Sequence, residues 1–78
     1  KSYWASGYRV IYYEGLLWYA VYTSGYSFIL AINPYDANYE WIHQVDTYEK
    51  VEKIQFHQDK MFVSDTGGNL FIYEKDNS

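Results

Sequence analysis

At 78 residues the chain has room for one small domain, and a domain of that size buries only about 60% of its unfolded surface. A formal net charge of −4, with six Lys and Arg residues scattered along the chain, provides no basic stripe to neutralise phosphates, which excludes a nucleic-acid binder. There is no cysteine, so neither a disulfide staple nor a Cys-based zinc site can be built. No apolar run approaches the roughly 20 residues of a bilayer-spanning helix.

Strand formers dominate and turn residues interrupt them at short intervals. In chain order the predicted strands are 9–13 (RVIYY), 16–22 (LLWYAVY), 26–32 (YSFILAI), 39–45 (YEWIHQV), 52–56 (EKIQF), 60–64 (KMFVS) and 69–73 (NLFIY). Turns are expected at Glu14-Gly15, at Thr23-Ser24-Gly25, from Asn33 to Asn38 and at Asp65-Thr66-Gly67-Gly68. Glycine supplies positive φ in these turns, and Pro34 fixes φ while withholding a ladder donor. LLWYAVY and FILAI are nearly continuous apolar runs, which predicts strands buried on both faces. EWIHQV and EKIQFHQ alternate instead, with Ile54 and Phe56 on one face and Lys53 and Gln55 on the other.

The chain also repeats itself. VIYYEGLLWYAVYTSGYSFILAI can be laid over EKIQFHQDKMFVSDTGGNLFIY, matching Ile11 with Ile54, Leu17 with Met61, Trp18 with Phe62 and Ile29 with Leu70. A period of roughly 40–45 residues with four short strands per unit is the pattern of propeller blades. The expected organisation is a single unit over residues 1–78, with a first blade at 9–45 and a partial second blade at 51–75. A small β-sandwich or barrel of about seven strands is the alternative.

Residues 31–41, AINPYDANYEW, resemble the A-L-D-x-x-T-G-x-x-x-W blade motif of the PQQ-like (quinoprotein-type) β-propeller repeats. Asn33 stands at the motif's Asp, Asp36 at its Thr, Ala37 at its Gly and Trp41 at its Trp. Asp65 to Tyr73 is similar to the D-G-x-L-Y-A-L segment of the same repeat. The resemblance implies an all-β fold of antiparallel four-stranded propeller blades, one complete and most of a second. It further implies that Trp41 is a structural residue docking blade on blade; Trp18, inside an apolar strand, is read as structural with it, platforms stacking on a sugar or planar ligand being the alternative for both. About 4–8 blades are needed to close a propeller, so the expected neighbours are other blades of a parent chain or of other copies. The opening Lys1-Ser2-Tyr3 carries neither an initiator Met nor a signal-peptide pattern, and the chain reads as a fragment or mature segment.

Aromatics make up 23% of the chain, with 11 Tyr, 3 Trp and 4 Phe. Tyr and Trp suit half-buried strand faces and binding surfaces alike. Tyr3 and Trp4, in the polar stretch KSYWASG, are the candidate ligand-binding residues. In SDTGGN, Asp65 and Asn69 lack the further oxygen ligands of a calcium loop, and Asp65 is expected to hydrogen-bond its own turn. His43 and His57 read as solvated surface residues, and pairs such as Asp36 with Glu40 as ordinary solvated charge. No catalytic group, metal site or cofactor is indicated.

The expected function is a non-enzymatic binding or scaffold module that takes a protein or a glycan. A sugar-binding, lectin-like module assembled from two-blade subunits is the alternative. A quinone-dependent dehydrogenase, which the resemblance would also admit, lacks its cysteine pair and a recognisable ligand set here. The same resemblance gives a periplasmic or extracellular location as the expectation.

Overall fold

The computed structural model describes residues 9–74. Within them the protein is all-β, with two antiparallel sheets. The first holds β1 (Ile11–Tyr13), β2 (Leu16–Thr23), β3 (Tyr26–Ile32) and β4 (Tyr39–Gln44) as a meander in that order. The second holds β5 (Val51–His57), β6 (Lys60–Asp65) and β7 (Leu70–Glu74), also in sequence order. No closed barrel is formed among the described residues.

Local chemistry explains the hairpins. Glu14 and Gly15, Ser24 and Gly25, and Gln58 and Asp59 all have positive φ, the primed two-residue turns whose twist matches that of the flanking strands. The Gln58-Asp59 turn contains no glycine, which hides it from a search for glycine turns. The longer β3–β4 connection is braced by its own side chains. Asn33 Oδ1 accepts the Tyr35 amide at 2.9 Å, and Asp36 Oδ1 accepts the Asn38 amide at 3.0 Å. Ala37 is held at a φ of 61°, a left-handed conformation that favours glycine.

The two sheets meet face to face. Ile29 and Val45 from the first side, with Ile54, Met61 and Val63 from the second, form the buried core, and Trp18, Trp41, Phe56, Phe71 and Tyr73 pack around it. β3 alternates strictly, with Ser27, Ile29 and Ala31 buried and Phe28, Leu30 and Ile32 half-buried. β2 is half-buried along most of its length. The expectation that these two strands are buried on both faces is therefore corrected: one face meets the second sheet, and the other retains exposure despite its apolar residues.

The register also corrects the repeat. Trp18 faces Ala31 as Phe62 faces Ile72, and Ala20 faces Ile29 as Ser64 faces Leu70. This keeps the equivalences of Leu17 with Met61, Trp18 with Phe62 and Ile29 with Leu70. Across the first hairpin, however, Tyr13 pairs Leu16 as His57 pairs Lys60, so the counterpart of Ile11 is Gln55 rather than Ile54. A slip of one residue exchanges the two faces of a strand, and this one matters for how the sheets stack.

With the register corrected, the first sheet meets the second through Trp18 and Ile29, whose counterparts Phe62 and Leu70 lie on the outer face of the second sheet. The second sheet answers through Met61, Val63 and Phe71, whose counterparts Leu17, Tyr19 and Leu30 lie on the outer face of the first. The units are stacked head to tail. A mirror-like sandwich would have used equivalent faces.

Candidate functional site

Between the sheets, at the end carrying the β1–β2 and β5–β6 turns, lies a cleft of about 400 Å³. Its walls are aromatic: Tyr13, Trp18 and Trp41 from the first sheet, Phe56 and Tyr73 from the second. Register dictates this grouping. Trp18 and Trp41 both sit opposite Ala31 on neighbouring strands, and that small residue leaves space for two indoles on one face.

The rings are held at fixed inclinations. Trp18 is tilted 54° to Trp41 at a centroid distance of 5.8 Å, and packs edge-on to Phe56 at 5.1 Å. Phe56 in turn stacks on Tyr13 at 4.0 Å. The Trp18 indole N–H donates to the Tyr13 carbonyl at 3.1 Å, which fixes the ring. Trp41 stacks on His43 at 5.1 Å, with the planes 10° apart. His43 Nε2 and the Tyr73 hydroxyl share a hydrogen bond of 3.0 Å, its direction set by the imidazole tautomer. Burial, with the Asp46 charge second, raises the Tyr73 phenol pKa, so at neutral pH the phenol keeps its proton.

Among the described residues the same cleft is lined by Glu14, Glu40, Asp59 and Glu74, and by no Lys or Arg. Two of these carboxylates stand in or beside the tight turns, Glu14 before Gly15 and Asp59 after Gln58. Lys60 approaches Glu74 at 3.9 Å from outside the lining, both side chains well exposed. An apolar, aromatic interior with anionic groups around it can hold a group that is at once greasy and positive.

A second cluster, at the Asp65 turn, is structural. The buried Asp65 carboxylate accepts from the amides of Gly67 (3.0 Å) and Asn69 (2.8 Å), from the Asn69 side-chain amide (2.9 Å) and from the Thr47 hydroxyl (2.7 Å). The Asn69 amide foremost, then the Thr47 hydroxyl, holds its pKa at about 2, against an ordinary 3.8. Thr47 belongs to the linker between the sheets. Its neighbours complete a clasp: the Ser27 hydroxyl donates to the Glu49 carbonyl at 2.7 Å, and the Thr66 amide to the Lys50 carbonyl at 2.9 Å. SDTGGN is thus a turn that also ties one sheet to the other. Among the described residues no group of three or more His, Asp or Glu side chains is placed to hold a metal ion.

The residues singled out from the sequence separate as follows. Trp18 and Trp41 are brought together on the face between the sheets. Tyr3 and Trp4 lie outside the described residues. His57 is exposed, whereas His43 is half-buried between Trp41 and Tyr73, which corrects its reading as a solvated surface residue. The correction follows from parity: His43 is two residues from Trp41 and so shares its face. Sequence reasoning missed Tyr13, Phe56 and Tyr73 as partners of the indoles, because their convergence is set by how the sheets dock. No family model, curated protein or solved structure matches the chain.

Proposed function

We propose that the chain is a non-catalytic binding module built as a pair of β-propeller-type repeat units of the PQQ-like kind, with a protein or a glycan as its target. The observation that carries this reading is the head-to-tail stacking. The second unit docks with the face equivalent to the outer face of the first, so the same docking, repeated, adds further units on either side. The outer face of the first sheet is chemically suited to it: Leu17, Tyr19, Phe28, Leu30 and Ile32 are apolar and half-buried, and Ile42 is 58% exposed. Exposed apolar area of this kind marks an interaction surface. Ala37 supports the resemblance from another direction, since the position that is Gly in the motif has the left-handed backbone that glycine favours.

Light scattering behind a sizing column tests the stacking on the 78-residue chain. The expected mass is that of two or more copies, and Leu30→Lys, on the outer face, is expected to lower it to one copy with the strand circular-dichroism signal unchanged. A one-copy mass up to millimolar concentration, in a chain that is folded, overturns the repeat-unit reading. A lectin-like module is the second reading, favoured by the aromatic walls of the cleft.

A further inference from the structure

From the cleft between the sheets we infer a binding site for an organic cation, an alkylated ammonium. This deepens the binding-module reading and rests on it for the claim that the cleft is where the target is held. Three features of the cleft converge. The first is the wall: Trp18, Trp41 and Tyr73 present rings at mutual inclinations of 54° and 79°. Rings set at such angles surround a group from several sides, as a cation resting against π faces requires. Trp is the strongest of the aromatic partners for a cation, and two are here.

The second is charge. Among the described residues four carboxylates and no basic side chain line the cleft, with Lys60 3.9 Å from Glu74 just outside the lining, within a chain whose net charge is −4. A neutral sugar would use aromatic stacking equally well, but its hydroxyls need donors as well as acceptors. Ionised carboxylates only accept. The side-chain donors of the lining are two indoles and two phenols: the Trp18 N–H is committed to the Tyr13 carbonyl and the Tyr73 hydroxyl shares its hydrogen bond with His43, beside the Trp41 N–H and the Tyr13 hydroxyl. The anionic charge of the lining is what favours a cation over a neutral glycan.

The third is rigidity. The Trp18 hydrogen bond, the His43 stack behind Trp41 and the His43–Tyr73 hydrogen bond hold the wall in place. A pre-shaped site loses less on binding than one that must be ordered. About 400 Å³ is within the range of small-ligand sites and accommodates a trimethylammonium head with its stem.

The test is a titration of the 78-residue chain, followed by the indole N–H signals of Trp18 and Trp41 in proton–nitrogen correlation spectra. The probes are choline, its uncharged carbon isostere 3,3-dimethylbutan-1-ol, a short capped peptide containing trimethyl-lysine, and neutral cello- and chito-oligosaccharides. Choline is expected to shift both indole signals and to bind at least about fivefold more tightly than the isostere, the margin of one modest cation–π contact. Glu40→Gln, on the cleft margin, is expected to weaken choline by about threefold, as one unit charge a few ångströms away in water would, while leaving the isostere unchanged. Tighter binding of the peptide identifies a protein side chain as the source of the cation, and tighter binding of choline a free small molecule; both support the site.

Equal binding of choline and isostere overturns the inference, as does oligosaccharide binding in the absence of choline binding. Unmoved indole signals at tens of millimolar choline overturn it too. The mass measured on the same samples keeps the two readings apart. A one-copy chain that binds choline overturns the repeat stacking alone, whereas a multi-copy chain indifferent to choline overturns the cation site alone.

Discussion

Ile29 and Ile42 are the same residue in the same sheet, on neighbouring strands and opposite faces. Ile29 is fully buried and belongs to the core shared by both sheets, whereas Ile42 is 58% exposed. Truncating Ile29 to Ala removes three carbons from water-free surroundings, a transfer loss of about 2.4 kcal/mol at about 0.8 kcal/mol per methylene. The remaining cavity adds to this, and the observed range for such substitutions is about 2–5 kcal/mol. A value near 3 kcal/mol is expected, against a total stability of about 4–12 kcal/mol for a chain of this length. At a denaturant slope near 1 kcal/mol/M for a small protein, the urea midpoint of Ile29→Ala should fall by about 3 M. Ile42→Ala should move it by about 1 M or less, since Ile42 is 58% exposed and the same transfer loss scales with the fraction withdrawn from water. The assay is urea unfolding of both variants, followed by fluorescence and circular dichroism. It is done at a protein concentration where light scattering gives one mass for all samples, because association would otherwise add to apparent stability. Comparable losses at the two positions would refute the reasoning, because they would mean that both faces of β3 and β4 are equally buried and that the face assignment is wrong.

Asp65 gives a pH prediction with a defined sign. Its folded pKa, about 2, lies below the ordinary 3.8, so its contribution is present above the unfolded value and is lost as pH falls from about 4 towards 2; urea midpoints measured across that window should decline, and less steeply in Asp65→Asn. Tyr73→Phe removes the hydroxyl bonded to His43 and should cost about 1 kcal/mol, the usual worth of such a bond, read by thermal unfolding as a fall of roughly 4–8 °C. Ala37→Gly should stabilise the chain by about 0.5 kcal/mol: relief of a left-handed backbone, worth about 1–2 kcal/mol, outweighs the extra chain entropy of glycine. A lower melting temperature for that variant would contradict the conformation assigned to the β3–β4 connection.

Much of this architecture is written in the one-dimensional pattern. The seven strands follow from short runs of Val, Ile, Tyr, Trp and Phe between turn residues, because strand formation and tight turns are local matters. The Asp65 turn is equally local: an Asp side chain bonding amides two and four residues ahead needs nothing from the rest of the chain. Alternation in β5 places Ile54 and Phe56 inward without reference to a partner. The β3–β4 connection is local as well, marked by Asn33, Pro34, Asp36 and Asn38, with Asn33 and Asp36 bonding amides two residues ahead.

What local pattern could not decide was which faces meet. Continuous apolar runs such as LLWYAVY offer two hydrophobic faces, and periodicity has nothing to say about which one a second sheet will cover. The repeat itself was laid one residue out at Ile11, since Ile11 and Ile54 match in kind while the ladders, with Ile11 opposite Trp18 and Gln55 opposite Phe62, make Gln55 its counterpart. Only the hydrogen-bonded ladder resolves a one-residue choice that reverses a strand. His43 divides between local pattern and docking: parity two residues from Trp41 sets its face, while its contact with Tyr73 is made only by the docking of the sheets. The cleft has the same origin. Tyr13, Trp18, Trp41, Phe56 and Tyr73 lie on five different strands and converge because two twisted sheets pack head to tail, a long-range arrangement to which each strand contributes and which none encodes alone.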